Sequence, residues 1–203
     1  MRNQIIEFYN DPDFQRLNSY YNKTTIFNIL NIERRELSHS AFLKWLFDIN
    51  GSHNFGEEPL KKLLRMLVNT DNDNILSEDI LNILLIGDYE IQNFHIETEK
   101  VVESDKNKGR IDIFAKFNIF KENSEKDFKK DIIVIIENKV DSKHHDDQTT
   151  TYKEWAEKKY NESVIIPIYL TPYPENEKNE IANYFIITYQ DVLEHVIEPL
   201  LNM

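Results

Sequence analysis

Residues Asp131–Val140 read Asp-Ile-Ile-Val-Ile-Ile-Glu-Asn-Lys-Val, five aliphatic residues followed at once by a carboxylate and an amine. A β-branched run of this length, bounded by charge, predicts a strand buried on both faces, as at the centre of a sheet covered by helices. Side chains alternate along a strand, so Glu137 and Lys139 fall on one side, about 7 Å apart, and Asn138 on the other. Charges set against such a core are costly to desolvate unless they handle an ion. Read alone, the tripeptide is better taken as a pair of solvated charges closing a strand, since Glu157-Lys158-Lys159 repeats the pattern in what reads as a surface helix.

The upstream context narrows this. Gly109-Arg110-Ile111-Asp112-Ile113-Phe114-Ala115-Lys116-Phe117 alternates after a glycine, as a strand leaving a turn does. Ile111, Ile113, Ala115 and Phe117 are expected on one face, and Asp112, Phe114 and Lys116 on the other. Residues 118–130 are polar and charged like a hairpin loop, so the Asp112 strand pairs with the Asp131 strand. Two adjacent strands then offer an Asp and a Glu-x-Lys, the side chains a magnesium-dependent phosphodiesterase needs. Magnesium takes oxygen ligands and keeps several waters, so one or two carboxylates and a substrate phosphate suffice to hold it.

With Asp112 and Glu137-Asn138-Lys139 in these positions, the chain resembles the PD-(D/E)XK nuclease superfamily, although no Pro precedes Asp112. Gln148 and Tyr152, four apart on a predicted helix, are similar to the Gln-x-x-x-Tyr of the RecB-like branch. Glu36-Leu37-Ser38-His39-Ser40-Ala41-Phe42-Leu43-Lys44-Trp45-Leu46-Phe47-Asp48 resembles the opening helix of one bacterial subfamily, in which a Glu faces the metal site. Ile168-Tyr169-Leu170-Thr171-Pro172 resembles that subfamily's later strand. The resemblance implies an α/β fold of the restriction-endonuclease type, a central mixed sheet flanked by helices with an N-terminal helical segment. It implies Mg2+, or Mn2+, held by Asp112, Glu137 and the backbone carbonyl of Asn138, which would leave the Asn138 side chain less restricted. Lys139 would orient water or stabilise developing charge, Glu36 would steer a second ion or water, and Gln148 and Tyr152 would support the site. Glu99 resembles an acid that precedes the Asp strand in related sequences, and reads equally as an exposed edge charge.

The net charge of −12 works against a simple nucleic-acid binder, whose affinity comes largely from Lys and Arg. Residues 1–100 hold 10 basic and 16 acidic groups, so no half of the chain is basic. Local basic clusters stand at Lys106–Arg110 and Lys126–Lys130. A nuclease needs a positive groove rather than a positive surface, and DNA is the expected partner, with a protein subunit or a second copy as a further source of affinity. The acidic balance also fits a second reading, a catalytically silent nuclease-like module that binds a protein or nucleic acid. The chain has no cysteine, which excludes disulfides and thiolate metal sites. No apolar stretch approaches the roughly 20 residues of a membrane span, and the N-terminus is not a signal peptide, so a cytoplasmic protein without membrane association is expected.

One domain over residues 1–203 is expected, mainly helical over 1–90 and built on the sheet over 91–203. Residues 1–23 read as helical, and a short helix follows from Thr24 or Thr25 to Ile32. The Glu36 helix is expected to end near Asn50-Gly51, with further helices over 57–69 and 77–86, the latter capped by Ser77. Ile91–Val102 alternates as a first strand. His39, His53 and the His144-His145 pair are read as surface or hydrogen-bonded residues rather than ligands. A helix from Gln148 to about Tyr160, strands over 164–170 and 184–188, and a last helix from Gln190 complete the order.

Overall fold

A computed structural model of the chain describes residues 6–8, 10–21, 29, 35–70, 75–103, 108–122, 127–140, 146–173, 181 and 183–203, without the side chains of 17–21 and 146–148. Residues 1–35 and 36–203 form two compact units. In the first, α1 (Pro12–Tyr21) starts where an aspartate can cap it: Asp11 Oδ1 accepts from the N–H groups of Asp13 and Phe14, both at 2.9 Å. The helix expected from Thr24 or Thr25 to Ile32 lies outside the described residues except for Ile29.

The second unit is a mixed five-stranded sheet flanked by helices. The strands are β1 (Glu90–Glu103), β2 (Lys108–Lys121), β3 (Phe128–Asn138), β4 (Val164–Leu170) and β5 (Phe185–Ile187), in that spatial order. β1, β2 and β3 form an antiparallel meander, whereas β4 joins β3, and β5 joins β4, in parallel. Ile132 to Ile136 are all buried, as the uninterrupted apolar run requires. Ile132, Val134 and Ile136 pack with Leu43, Leu46, Leu60, Leu64 and Leu67 of α2 (Glu36–Phe47) and α3 (Glu58–Thr70). Ile133 and Ile135 face the other way, into a cluster with Tyr152 of α5 (Asp146–Lys159), Tyr169 and Tyr184.

Several boundaries differ from expectation for visible reasons. The hairpin is longer than the polar loop implied, because Ile119, Phe120 and Phe128 are apolar enough to extend both strands. Its buried polar residue is satisfied from both sides: Asn118 accepts from Asn93 Nδ2 at 2.6 Å and donates to Asp131 Oδ1. α2 stops at Phe47, where Asp48 pairs with Lys44 at 2.7 Å and its carbonyl accepts from the Gly51 N–H. Ser77 stands at the N-cap of α4 (Glu78–Ile86) in extended conformation, but its side chain makes no capping bond. Gly87 ends that helix at φ 73°, a left-handed turn that glycine adopts without penalty.

The C-terminal helical segment runs from α6 (Tyr189–Val192) through a π-helical turn (Leu193–Ile197) into α7 (Glu198–Leu201). Thr188 and Asp191 form a reciprocal capping box at its start. No helix among the described residues is long and apolar enough to cross a membrane.

Candidate active site

The register of the meander aligns three acids. Ile113 lies opposite Ile136, so the next pair along the antiparallel ladder is Asp112 and Glu137. On the other side of β2, Thr98 faces Ile113 and Lys100 faces Ile111, which puts Glu99 opposite Asp112. Glu99 adopts φ 55°, a left-handed conformation that costs a non-glycine residue about 1 kcal/mol or more. Its carboxylate pairs with Arg110 at 3.0 Å. Beside it, Ile111 departs from the expected alternation and joins Phe114 in the α5-side cluster, while Ile113, Ala115 and Phe117 line the opposite one.

Glu137 is only 4% exposed, its Oε1 is 2.7 Å from Lys139 Nζ, and its Oε2 is buried with no hydrogen-bond partner. Asp112 Oδ2 accepts the Asn138 N–H at 2.7 Å. Glu36 reaches the same corner from the first turn of α2, where its Oε1 accepts the Val140 N–H at 3.1 Å. The Lys139 N–H is tied to the Leu170 carbonyl at 2.9 Å, so the chain beyond β3 is held by β4.

These contacts set the electrostatics. Burial pushes the Asp112 carboxyl up to about 6, against the pull of the Asn138 N–H and Lys139, with Glu99 and Glu36 adding to the rise. Burial, followed by the neighbouring Asp112 charge, pushes Glu137 up to about 7. Burial alone would lower Lys139, but Glu137, Asp112 and Glu36 outweigh it and hold its ammonium above the usual lysine range. The corner therefore has more negative charge than one lysine neutralises, in a place where water helps little.

The remaining residues divide. Tyr152 is buried, its hydroxyl accepts the Arg110 N–H at 3.2 Å, and its charge environment includes Glu137 and Asp112. Gln148 lies on α5, with its side chain outside the described residues, as is the His144-His145 pair. His53 is a structural turn residue: its Nδ1 accepts from the Phe55 N–H, which leaves Nε2 to donate to the Asp48 carbonyl, both at 3.0 Å. His39 sits edge-on to the Tyr189 ring at 5.4 Å. Sequence reasoning missed Ser40 and Tyr189, which hold the Asn138 side chain; that side chain is wholly buried and hydrogen-bonded rather than unrestricted.

Tyr152 is seated against Gly109. A Cβ added there would lie 2.5 Å from Tyr152 Cε1 and 2.9 Å from its hydroxyl oxygen. Gly109→Ala is accordingly expected to push the ring off the Arg110 N–H and to cost about 1–3 kcal/mol in denaturant unfolding; a midpoint equal to wild type would mean that the ring yields freely.

The donor set suits a hard divalent cation: the buried Glu137 carboxylate with its orphaned Oε2, the half-buried Asp112 carboxylate beside it, and the main-chain carbonyl of Asn138. No three His, Asp or Glu side chains among the described residues converge on one cation position, so waters or substrate oxygens would have to complete the shell.

A mixed sheet with its helices arranged in this way is the restriction-endonuclease-like fold. Residues 24–202 match the PD-(D/E)XK nuclease superfamily, and the chain belongs to it. No curated protein and no solved structure matches the chain.

Proposed function

We propose that the protein is a metal-dependent nuclease that hydrolyses phosphodiester bonds of DNA, in bacterial defence or DNA processing, and that it lies near the RecB-like branch. The observation that carries this reading is the buried, unpartnered Oε2 of Glu137 beside Asp112, in a corner whose excess negative charge a divalent cation would relieve. Asp112, Glu137 and the Asn138 carbonyl would hold Mg2+ or Mn2+. Such an ion supplies Lewis acidity towards a phosphate oxygen and eases deprotonation of water.

The chain's own residues supply the rest. Lys139 stays protonated because three carboxylates surround it, so it serves as a fixed cation that donates to charge developing on the phosphate, not as a general base. Glu36, fixed by the Val140 N–H, faces the same volume and can accept a proton or orient a second ion's water. Tyr152, four residues after Gln148, fits the Gln-x-x-x-Tyr pattern and braces the start of β2 through Arg110.

The test is cleavage of single-stranded, double-stranded and modified DNA, and of RNA, by purified protein with Mg2+, Mn2+ or EDTA. Metal-dependent DNA cleavage that Asp112→Ala removes is expected. Inertness on every substrate, or cleavage that survives Asp112→Ala, would sink the reading.

A further inference from the structure

The most completely satisfied polar side chain beside the acids belongs to Asn138, which the chemistry above leaves without a role. It is fully buried, and two helices supply three partners to it. Its Nδ2 donates to the Glu36 carbonyl at 3.3 Å and to Ser40 Oγ at 3.0 Å, both on α2. Its Oδ1 accepts from the hydroxyl of Tyr189 on α6. A backbone carbonyl can only accept, so the Glu36 contact fixes which end of the amide is nitrogen. The main-chain N–H of the same residue donates to Asp112 Oδ2, and the Val140 N–H, two residues on, donates to the Glu36 carboxylate.

All the atoms tethered in this way belong to the candidate site or to its immediate frame. An aspartate at position 138 would set a carboxylate oxygen against the Glu36 carbonyl and add charge to an overcharged corner. A leucine would strand three polar partners in a place without water. We propose that the Asn138 carboxamide and the Tyr189 hydroxyl form a positioning clamp that sets the spacing between the Glu36 carboxylate and the Asp112–Glu137 pair for a divalent cation. The inference rests on the metal-dependent reading above and adds to it two positioning residues.

Groups that orient metal ligands are worth about 10–100-fold in metal affinity. The experiment is calorimetric titration of the full chain with Mn2+, with thermal unfolding measured alongside on wild type, Tyr189→Phe, Asn138→Asp and Tyr184→Phe. Tyr189→Phe keeps the ring against His39 and removes only the clamp's hydroxyl, so it tests the inference even where Asn138→Asp fails to fold. Tyr184→Phe is the control: it loses a buried hydroxyl bonded to the Thr149 carbonyl at 2.8 Å, outside the clamp. About tenfold weaker Mn2+ binding by Tyr189→Phe is expected, with wild-type affinity in Tyr184→Phe. Equal affinity in Tyr189→Phe and wild type overturns the clamp alone, as do equal losses in both tyrosine variants. Wild type that takes up no Mn2+ overturns the metal reading, and the clamp with it.

Discussion

Glu137→Gln will abolish metal-dependent cleavage and yet raise the unfolding temperature of the metal-free protein at pH 8. The two effects share one cause. A carboxylate at this position is buried beside Asp112, so its folded-state pKa rises to about 7, above its ordinary value of 4.5. A raised carboxyl pKa means that the folded state favours the protonated acid. The associated stability is fully present below about pH 4.5 and is lost as the pH climbs through 7. Glutamine keeps the shape and a hydrogen-bond acceptor for Lys139 without the charge. Its advantage over wild type should be near zero at pH 4.5 and largest above pH 7, on the order of 5 °C for a domain of this size. Mn2+ should close the gap by stabilising wild type alone. Scanning calorimetry at pH 4.5, 6 and 8, with and without Mn2+, reads all three differences; a variant less stable than wild type at pH 8 would contradict the account.

Lys139→Ala is expected to lower cleavage by about 10²–10⁴-fold, the usual cost of removing a preorganised group that meets transition-state charge. The direction for metal is different. Lys139 is the cation that pairs with Glu137, so its removal frees a second carboxylate oxygen and takes away a competing positive charge. Mn2+ binding at pH 8 should survive or tighten while turnover collapses. Loss of both together would assign Lys139 to holding the site rather than to chemistry. Single-turnover cleavage and Mn2+ titration on the same preparation separate these outcomes.

The parts of the structure that the sequence discloses are those in which a residue's neighbours in space are also its neighbours in pattern. Ile132–Ile136 announce a two-faced strand by composition alone, and Asp112 stands out as the one acid in the stretch from Gly109 to Phe117. The bulge in β1 is hidden for the opposite reason. Asn93, at φ 52°, shifts the phase so that Ile91 and then Phe94 and Ile96 meet the core. Its only trace in the sequence is the polar pair Gln92-Asn93 between Ile91 and Phe94, and two polar residues in a row do not by themselves mark a bulge. Glu99's left-handed backbone has no signal either, since glutamate is not a residue that marks such turns. The partners of Asn138 lie 98 residues upstream at Ser40 and 51 downstream at Tyr189, beyond the reach of any local pattern. An asparagine between two charges looks solvated until those partners are known.

The meander β1–β2–β3 pairs sequence neighbours antiparallel, whereas β4 joins β3, and β5 joins β4, in parallel, which takes crossover connections. Contacts between sequence-distant segments form late, and a chain on the ribosome offers its N-terminal part first. Lys139 is anchored by Leu170 and Asn138 by Tyr189, so a nascent chain can present every acid of the corner before it owns the frame that aligns them. Alignment of the acids therefore waits on residues 164–189, which leave the ribosome well after Glu137 itself.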